Sequence, residues 1–350
     1  MIAELIPSTF FQGIGESAEW ALWLFAVGGI ALLVFGADRA VGAAAKLAAA
    51  MGMSKVLIGA TVVSLGTTSP EAAVSVNAAF QNNPGIALGN GVGSIICDTA
   101  LIFGLSCCLV RLPKNRFILR RHGWLQFGAG ALLTVTALVL WAISGDIDEV
   151  YIGREVGIGF LVLLGVYMYL SVRWARQHPE IIPEEAQEEM KANHRTGRAV
   201  ANLALVLFGL ALVVFGSDVL IGSMKVVCER HGVPETVIAV TFVAFGTSLP
   251  ELATAITAIV KGHPDLLVGN VIGADILNVL FVVGASATAV PLKADPIFFY
   301  FLLPTMMLVL MVLRLCIFAR GDRFRRWQGI PLLAIYAAFV VLAVMLGVHD

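Results

Sequence analysis

The sequence carries few charged residues for its length. Asp, Glu, Lys and Arg make up 13% of the 350 residues, whereas soluble domains carry about 25%. The net charge of −1 offers no basic surface for nucleic acid. The five cysteines lack metal-ligand spacing, and no phosphate-binding loop or nucleophile–base pair is present. We therefore expect neither an enzyme nor ATP-driven chemistry, and no resident cofactor.

Apolar residues are abundant instead. They make up 59% of the chain, and the mean hydropathy is +0.89. They fall in runs of about 20 residues, the length that spans a bilayer as a helix. The sequence therefore predicts an all-α integral membrane protein with ten membrane-spanning helices. Their approximate bounds are 19–38, 56–80, 84–110, 123–143, 151–172, 199–219, 235–260, 264–289, 296–318 and 328–347.

Basic residues are distributed unevenly between the predicted connections. One alternating set of connections, which includes 173–198, holds 19 of the 23 Lys and Arg residues, and the other set holds 4. Connections rich in Lys and Arg stay on the cytoplasmic side. The predicted orientation in the plasma (cell inner) membrane therefore puts both termini outside and the 173–198 linker in the cytoplasm.

A short polar stretch occurs twice within apolar runs, at 66–71 (Gly-Thr-Thr-Ser-Pro-Glu) and, 180 residues later, at 246–251 (Gly-Thr-Ser-Leu-Pro-Glu). The same offset pairs other residues: Gly29 with Gly209, Gly36 with Gly216, Asp38 with Asp218, and Asn90 with Asn270. Five spans in each half would insert the second half upside down, which is the inverted repeat of secondary transporters. The predicted organisation is an N-terminal segment 1–18, repeats 19–172 and 199–350, and the linker 173–198.

The two stretches contain the chemistry expected of an ion site. Each proline removes a helical hydrogen bond, and we expect it to free the carbonyl four residues earlier, that of Gly66 or Gly246. Hydroxyl side chains lie beside each break, at Thr67, Thr68, Thr247 and Ser248. Glu71 and Glu251 follow directly. A carboxylate at membrane depth costs about 2.5–3.5 kcal/mol, which makes it a functional candidate.

The next predicted span of each half adds further polar groups. Ser94 and Asp98 are four residues apart, and Asp275 and Asn278 are three apart, so each pair is predicted to share a helix face. No Lys or Arg lies in these spans to pair with the acids. Buried charges are paired, protonated or metal-bound. From the residues alone, these acids could bind cations or be protonated structural groups, and both interpretations stay open. Asp275 is expected to influence the choice of ion.

These motifs resemble the two alpha repeats of the cation/calcium exchanger superfamily, over nearly the whole chain. The resemblance implies exchange of calcium for sodium across the bilayer by alternating access. Glu71 and Glu251 would be the central calcium ligands. The resemblance further implies backbone carbonyls from Thr67 and Thr247, sodium oxygens from Thr68, Ser94 and Ser248, and completion of the ring by Asp98 and Asn278.

The chain departs from the family pattern at four places. Thr68-Ser69 replaces Ser-Leu, Ala274 replaces a common Ser, Asp275 replaces Asn, and the acid/amide pair runs Asp98 then Asn278. These departures leave a proton/calcium antiporter, or one for another divalent cation, as an alternative. A passive cation channel is the alternative of a different class. The oligomeric state also stays open, and a monomer is one option.

Overall fold

The computed structural model describes residues 10–13, 19–51, 53–114, 116–177, 196–231 and 246–345. These residues are almost entirely helical. Among them, eight helices are long and apolar enough to cross a membrane. Long helices suit the bilayer interior because a helix pairs its own backbone N–H and C=O groups, and lipid tails offer these groups no hydrogen-bond partners.

The first half of the chain forms one broken and several long helices. Its elements are α1 (Glu19–Met51), α2 (Lys55–Ile58), a π-helical turn (Gly59–Val63), α3 (Ser64–Thr67), α4 (Ser69–Phe80), α5 (Pro84–Ile96), a second π-helical segment (Cys97–Phe103), α6 (Gly104–Leu109), α7 (Arg116–Ser144), a 3-10 turn (Ile147–Glu149), β1 (Tyr151–Ile152) and α8 (Arg154–Gln177). The segments from α2 to α4 together replace the single predicted span 56–80.

The second half follows a similar order. Its described elements are α9 (Thr196–Arg230), α10 (Leu249–Val260), α11 (Pro264–Leu277), a π-helical segment (Asn278–Val283), α12 (Gly284–Ala289), β2 (Leu292–Lys293), a π-helical turn (Phe298–Leu302), α13 (Leu303–Phe318), a 3-10 turn (Arg326–Gln328) and α14 (Gly329–Met345). Strands β1 and β2 form a two-residue antiparallel ladder, with Ile152 opposite Leu292. The start of the predicted span 235–260 lies outside the described residues.

Helices α1 and α9 cross through closely packed glycines. A Cβ added to Gly29 would lie 2.8 Å from the carbonyl oxygen of Gly216, and one added to Gly36 would lie 2.7 Å from that of Gly209. The partner number falls as the α1 number rises, so the two helices are antiparallel. Each contact also maps onto the other at the 180-residue offset. This is the crossing that an inverted repeat requires, and small residues let the backbones approach.

The segment from α11 to α12 lies at the centre of the molecule. The most apolar stretch of Pro264–Ala289 is 94% buried, whereas those of the spans in α7, α8 and α14 are 22% buried. The backbone of α11 lies close to that of the π-helical turn Gly59–Val63. A Cβ added to Gly273 would be only 2.6 Å from the carbonyl oxygen of Ala60. The third helix of one half thus packs against the broken helix of the other.

Several predicted bounds differ from the structure. α1 continues to Met51 instead of ending near residue 38, because the chain beyond the apolar run is rich in alanine, the strongest helix former. The predicted linker 173–198 is shortened on both sides, because α8 ends at Gln177 and α9 begins at Thr196. Only residues 178–195 of that linker lie outside the described part.

Arg314 is one of the 19 basic residues that the sequence analysis counted in the connections, and this assignment is wrong. Arg314 lies inside α13 and is 4% exposed. Its guanidinium carbon is 4.0 Å from the centre of the Trp124 ring and 4.3 Å from that of Phe318. Aromatic faces attract a guanidinium group, so these rings stabilise the charge at this depth.

Candidate cation site

Two short helices begin at the paired proline breaks. α4 begins at Ser69 and α10 at Leu249, and each has proline as its second residue. Proline suits the first turn of a helix because its missing N–H is not needed there. Glu71 and Glu251 therefore lie in equivalent first turns, and they are 0% and 1% exposed.

The buried carboxylates at these breaks are uncompensated. Within the described part of the chain, neither carboxyl oxygen of Glu71, Glu251 or Asp98 has a hydrogen-bond partner. Glu71 interacts electrostatically with Glu251 and Asp98, and Asp98 interacts with Glu251 and Asp275. The structure thus brings the four predicted acids into one buried region, where unpaired negative charge is costly.

Neutral oxygen atoms surround the acids. Thr68, Ser94 and Ser248 are buried, and their hydroxyls have no hydrogen-bond partner among the described residues. The same holds for both side-chain polar atoms of Asn278. Ser248 lies beside Asp98. Four neutral side chains predicted from the sequence therefore lie buried with hydrogen-bonding capacity to spare.

Asp98 and Asn278 lie in π-helical segments rather than in α-helix. α5 ends at Ile96, and Cys97–Phe103 is π-helical; α11 ends at Leu277, and Asn278–Val283 is π-helical. Ser94 lies in α5 and Asp98 lies in the π-helical segment, so the helix face predicted for this pair spans the change of helix type. π-helical turns recur at functional sites because they re-aim side chains and backbone carbonyls.

Two threonines link the halves through side chains that the sequence interpretation did not use. Thr67 Oγ1 donates to Asn270 Oδ1 at 3.3 Å, and Thr247 Oγ1 donates to Asn90 Oδ1 at 3.1 Å. The asparagine amides donate within their own halves: Asn90 Nδ2 to Ser75 Oγ at 2.9 Å, and Asn270 Nδ2 to Thr254 Oγ1 at 3.3 Å. The occurrence of Gly-Asn in both repeats was the available signal for these residues.

The carbonyl predicted to be freed at the second break is occupied. Leu249 N donates to the carbonyl oxygen of Gly246 at 3.2 Å, because residues 246–248 tighten into a turn instead of continuing the helix. At the first break, Ser69 Oγ donates to the carbonyl oxygen of Leu65 at 2.5 Å. Release of the Gly66 carbonyl stays a prediction.

Asp275 has a different environment from the other acids. Its Oδ2 accepts hydrogen bonds from Thr99 Oγ1 and from Gln126 Nε2. Its Oδ1 has no hydrogen-bond partner among the described residues. The sequence interpretation did not identify Gln126, because a single amide in an apolar run is compatible with ordinary helix packing.

Acidic side chains alone do not complete a metal site here. No three His, Cys, Asp or Glu side chains of the described ranges converge as ligands of one metal ion. Hydroxyl, amide and backbone oxygens would therefore supply much of any coordination shell. That donor set suits a hard cation such as calcium or sodium, which prefers oxygen ligands.

The fold and this region define a helical, multi-pass membrane protein with a buried, oxygen-lined acidic site. Comparison with known proteins assigns the family. The family model described as "Sodium/calcium exchanger protein" matches residues 20–173 and 201–345. The chain belongs to this family, whose members are cation/calcium exchange transporters rather than enzymes.

Individual relatives cover nearly the full chain. The sodium/calcium exchanger MaX1 of Methanosarcina acetivorans is 29% identical over 90% of this chain and 96% of its own length. The putative antiporter CaxA of Alkalimonas amylolytica is 31% identical over 91% of this chain and 97% of its own. A solved structure of the sodium–calcium exchanger NCX_Mj, soaked with sodium and strontium, is 26% identical, covers 92% of this chain and 99% of its own, and has a TM-score of 0.75.

Proposed function

We propose that the protein is a secondary active antiporter that exchanges calcium for sodium across the membrane. The observation that carries this proposal is the pair Glu71 and Glu251, buried without hydrogen-bond partners among the described residues, at equivalent helix breaks beside Asp98. Three buried carboxyl groups that interact with one another carry negative charge at low cost only beside a cation; otherwise they are protonated. A transported cation supplies the positive charge transiently, whereas a resident lysine or arginine would supply it permanently.

The proposed ion ligands are the residues gathered at the breaks. Glu71 and Glu251 are the central calcium ligands, and Asp98 and Asn278 complete the ring. The remaining oxygens come from the side chains of Thr68, Ser94 and Ser248, the backbone carbonyls of Thr67 and Thr247, and the carboxylate of Asp275. This set offers four carboxyl groups and six neutral oxygen donors. Calcium takes six to eight oxygen ligands, so one calcium ion would bind only part of the set at a time.

Coupling follows from shared ligands. One calcium ion or several sodium ions occupy the same oxygens, so both cannot be bound at once. An occupied site is close to neutral, which lowers the cost of moving past apolar surface. The antiparallel α1–α9 pair, joined through its glycines, is the unit that moves against the core and exposes the site to each side in turn.

The proposed topology has ten spans in two inverted five-helix repeats. The broken helix α2–α4 and its counterpart ending in α10 would add two spans to the eight found among the described residues. The charge distribution supports outside termini and a cytoplasmic linker in the cell membrane.

Coupling to protons, or transport of another divalent cation, is the second candidate. It is favoured by two features near the acids. Ala274 offers no hydroxyl where the repeat-related residue is Ser94, and Asp275 adds a carboxylate where the repeat-related residue is Ile95. Fewer sodium oxygens and one more acid both favour this alternative.

Transport by the purified protein in lipid vesicles tests the proposal. Calcium uptake is measured against an imposed sodium gradient and, separately, against a pH gradient. We expect sodium-driven uptake, and a fall of at least about 100-fold in both Glu71→Gln and Glu251→Gln, since loss of a residue that merely supports a metal ligand typically costs 10–100-fold. The exposed Glu149→Gln serves as the matched control and should be unchanged. Full exchange by both buried variants would refute the site.

A further inference from the structure

A buried polar cluster joins α7 to the edge of the candidate site. It consists of Asp275 of α11, Thr99 of the π-helical segment and Gln126 of α7, and all three side chains are at most 3% exposed. Thr99 Oγ1 and Gln126 Nε2 both donate to Asp275 Oδ2, the latter at 2.5 Å. α7 is a peripheral helix whose apolar stretch is 22% buried, so Gln126 is one of its few inward polar groups.

The repeat contains a natural comparison for this cluster. At the 180-residue offset, Thr99 corresponds to Val279, Asp275 to Ile95 and Gln126 to Met306. These three counterparts are apolar and at most 1% exposed. The repeat-related region is therefore packed with apolar side chains at all three positions. Because a buried carboxylate costs free energy that an apolar side chain does not, the polar version needs a reason other than packing.

The cluster adds charge to one side of the site only. Asp275 interacts electrostatically with Asp98, whereas Glu71 interacts with Glu251 and Asp98. Asp275 therefore flanks the central acids on the Asp98 side. Its Oδ2 is committed to two donors, while Oδ1 lacks a partner among the described residues. Two donors to one oxygen fix the orientation of the carboxylate as well as stabilising it.

We propose that Gln126 is a positioning residue for ion selectivity: with Thr99, it holds the Asp275 carboxylate beside Asp98, and this extra charge favours divalent over monovalent cations. The inference rests on the proposed function. Coulomb energy is proportional to the charge of the ion, so a fixed anion stabilises calcium twice as strongly as sodium at the same point. Loss of the correct position should therefore weaken calcium binding more than sodium binding.

Ion-dependent thermal stability of the purified full-length protein in detergent measures both affinities without transport. A cation that binds the folded state raises the melting temperature as its concentration rises. Gln126→Met introduces the repeat-related residue. In this variant, we expect the calcium concentration that gives half of the maximal stabilisation to rise about tenfold. This corresponds to loss of a hydrogen bond to a charged group, about 1.5 kcal/mol. The sodium value should rise about threefold, since half the free energy is lost for half the charge.

A double-variant comparison shows whether Gln126 acts through Asp275. Asp275→Asn should lower the calcium preference by itself, and Gln126→Met should then add little in that background. Met306→Leu, at the repeat-related position, is the packing control and should leave the calcium-to-sodium ratio unchanged. If Gln126→Met does not fold, Thr99→Val removes the other donor and should shift the ratio in the same direction.

The outcomes separate this inference from the proposed function. An unchanged ratio in Gln126→Met, or in Thr99→Val where that variant is the one measured, overturns the positioning role. An equal shift in the Asp275→Asn background does the same. If neither calcium nor sodium stabilises the unaltered protein, the exchanger function itself fails, and the selectivity role fails with it.

Discussion

The two helix breaks, one from each half of the chain, are held by the same pattern of contacts. Thr67 at the first break donates to Asn270 of the other half, and Thr247 at the second donates to Asn90. Each break is thereby tied to the third helix of the opposite half. The shared pattern places Glu71 and Glu251 symmetrically, which explains why a repeat in sequence becomes a single site in space.

The neighbours of the breaks differ between the halves. At the 180-residue offset, Asp98 corresponds to Asn278, and Asp275 corresponds to Ile95. In the proposed site, the matched residues form the place for the ion, whereas the unmatched residues set the local charge. An exchanger needs both properties, because equal access from two sides favours symmetry, and the choice between ions depends on local charge.

The glycine contacts between α1 and α9 offer the largest test of the matched part. Gly36→Ala and Gly216→Ala should each lower stability by about 1–3 kcal/mol, the usual cost of overpacking. The added Cβ would lie 2.7 Å from the Gly209 carbonyl oxygen in one and 2.8 Å from that of Gly29 in the other, so the two losses should be similar. Thermal unfolding in detergent measures both.

A neighbouring glycine provides the control for this test. A Cβ on Gly28 meets no described atom within 4 Å. Gly28→Ala should therefore be neutral or stabilise by up to about 1 kcal/mol, the difference in helix propensity. If Gly36→Ala and Gly216→Ala behave like Gly28→Ala, the crossing is looser than the structure indicates.

The asparagine links should give the next largest effect. Asn90→Ala and Asn270→Ala each remove the acceptor of a threonine hydroxyl and a donor to a helix of the same half. We expect each to cost about 1–3 kcal/mol, because a polar partner is left unsatisfied, and to weaken calcium-dependent stabilisation. Asn83→Ala, on an exposed turn, is the control. A silent Asn90→Ala beside a costly Asn270→Ala would show that the two breaks are held differently.

The sequence predicted the acids better than their supports. Glu71, Glu251 and Asp98 are conspicuous because charge within an apolar run is costly wherever the helix packs. Gln126 is not, because its partner Asp275 is 149 residues away and neutral amides are common in helices. Only the folded arrangement brings that pair together.

Helix boundaries show the same division between local and tertiary information. Hydropathy located the apolar runs, but α1 extends to Met51 because its alanine-rich end favours helix without being strongly apolar. The π-helical segments Cys97–Phe103 and Asn278–Val283 leave no composition signal. They depend on packing at the centre of the molecule, and local propensity does not report it.

An ion pair outside the candidate site makes the two membrane faces of the protein different. Its removal should give the smallest effect among these predictions. Lys261 Nζ lies 2.8 Å from Asp38 Oδ1 and donates to the Asp38 carbonyl oxygen at 2.7 Å, which ties the turn after α10 to α1. At the repeat-related position, Lys261 is replaced by Gln81, which cannot form an ion pair. The Lys261 face therefore has an ion pair that holds α1 against the core, whereas Gln81 supplies no charge at the equivalent place beside α9.

Lys261→Gln removes this difference and should shift the balance between the two access states by at most about fivefold, since partly exposed ion pairs contribute about 0.2–1 kcal/mol. The measurement is the ratio of half-maximal calcium concentrations at the two faces of oriented vesicles. Gln81→Lys places a cation at the other face and should shift the ratio in the opposite direction. Both shifts should shrink in high salt, because screening weakens an exposed ion pair. Equal shifts at low and high salt would mean that Lys261 acts by packing over Gly42 instead. A Cβ added to Gly42 would lie 3.1 Å from Lys261 Nζ.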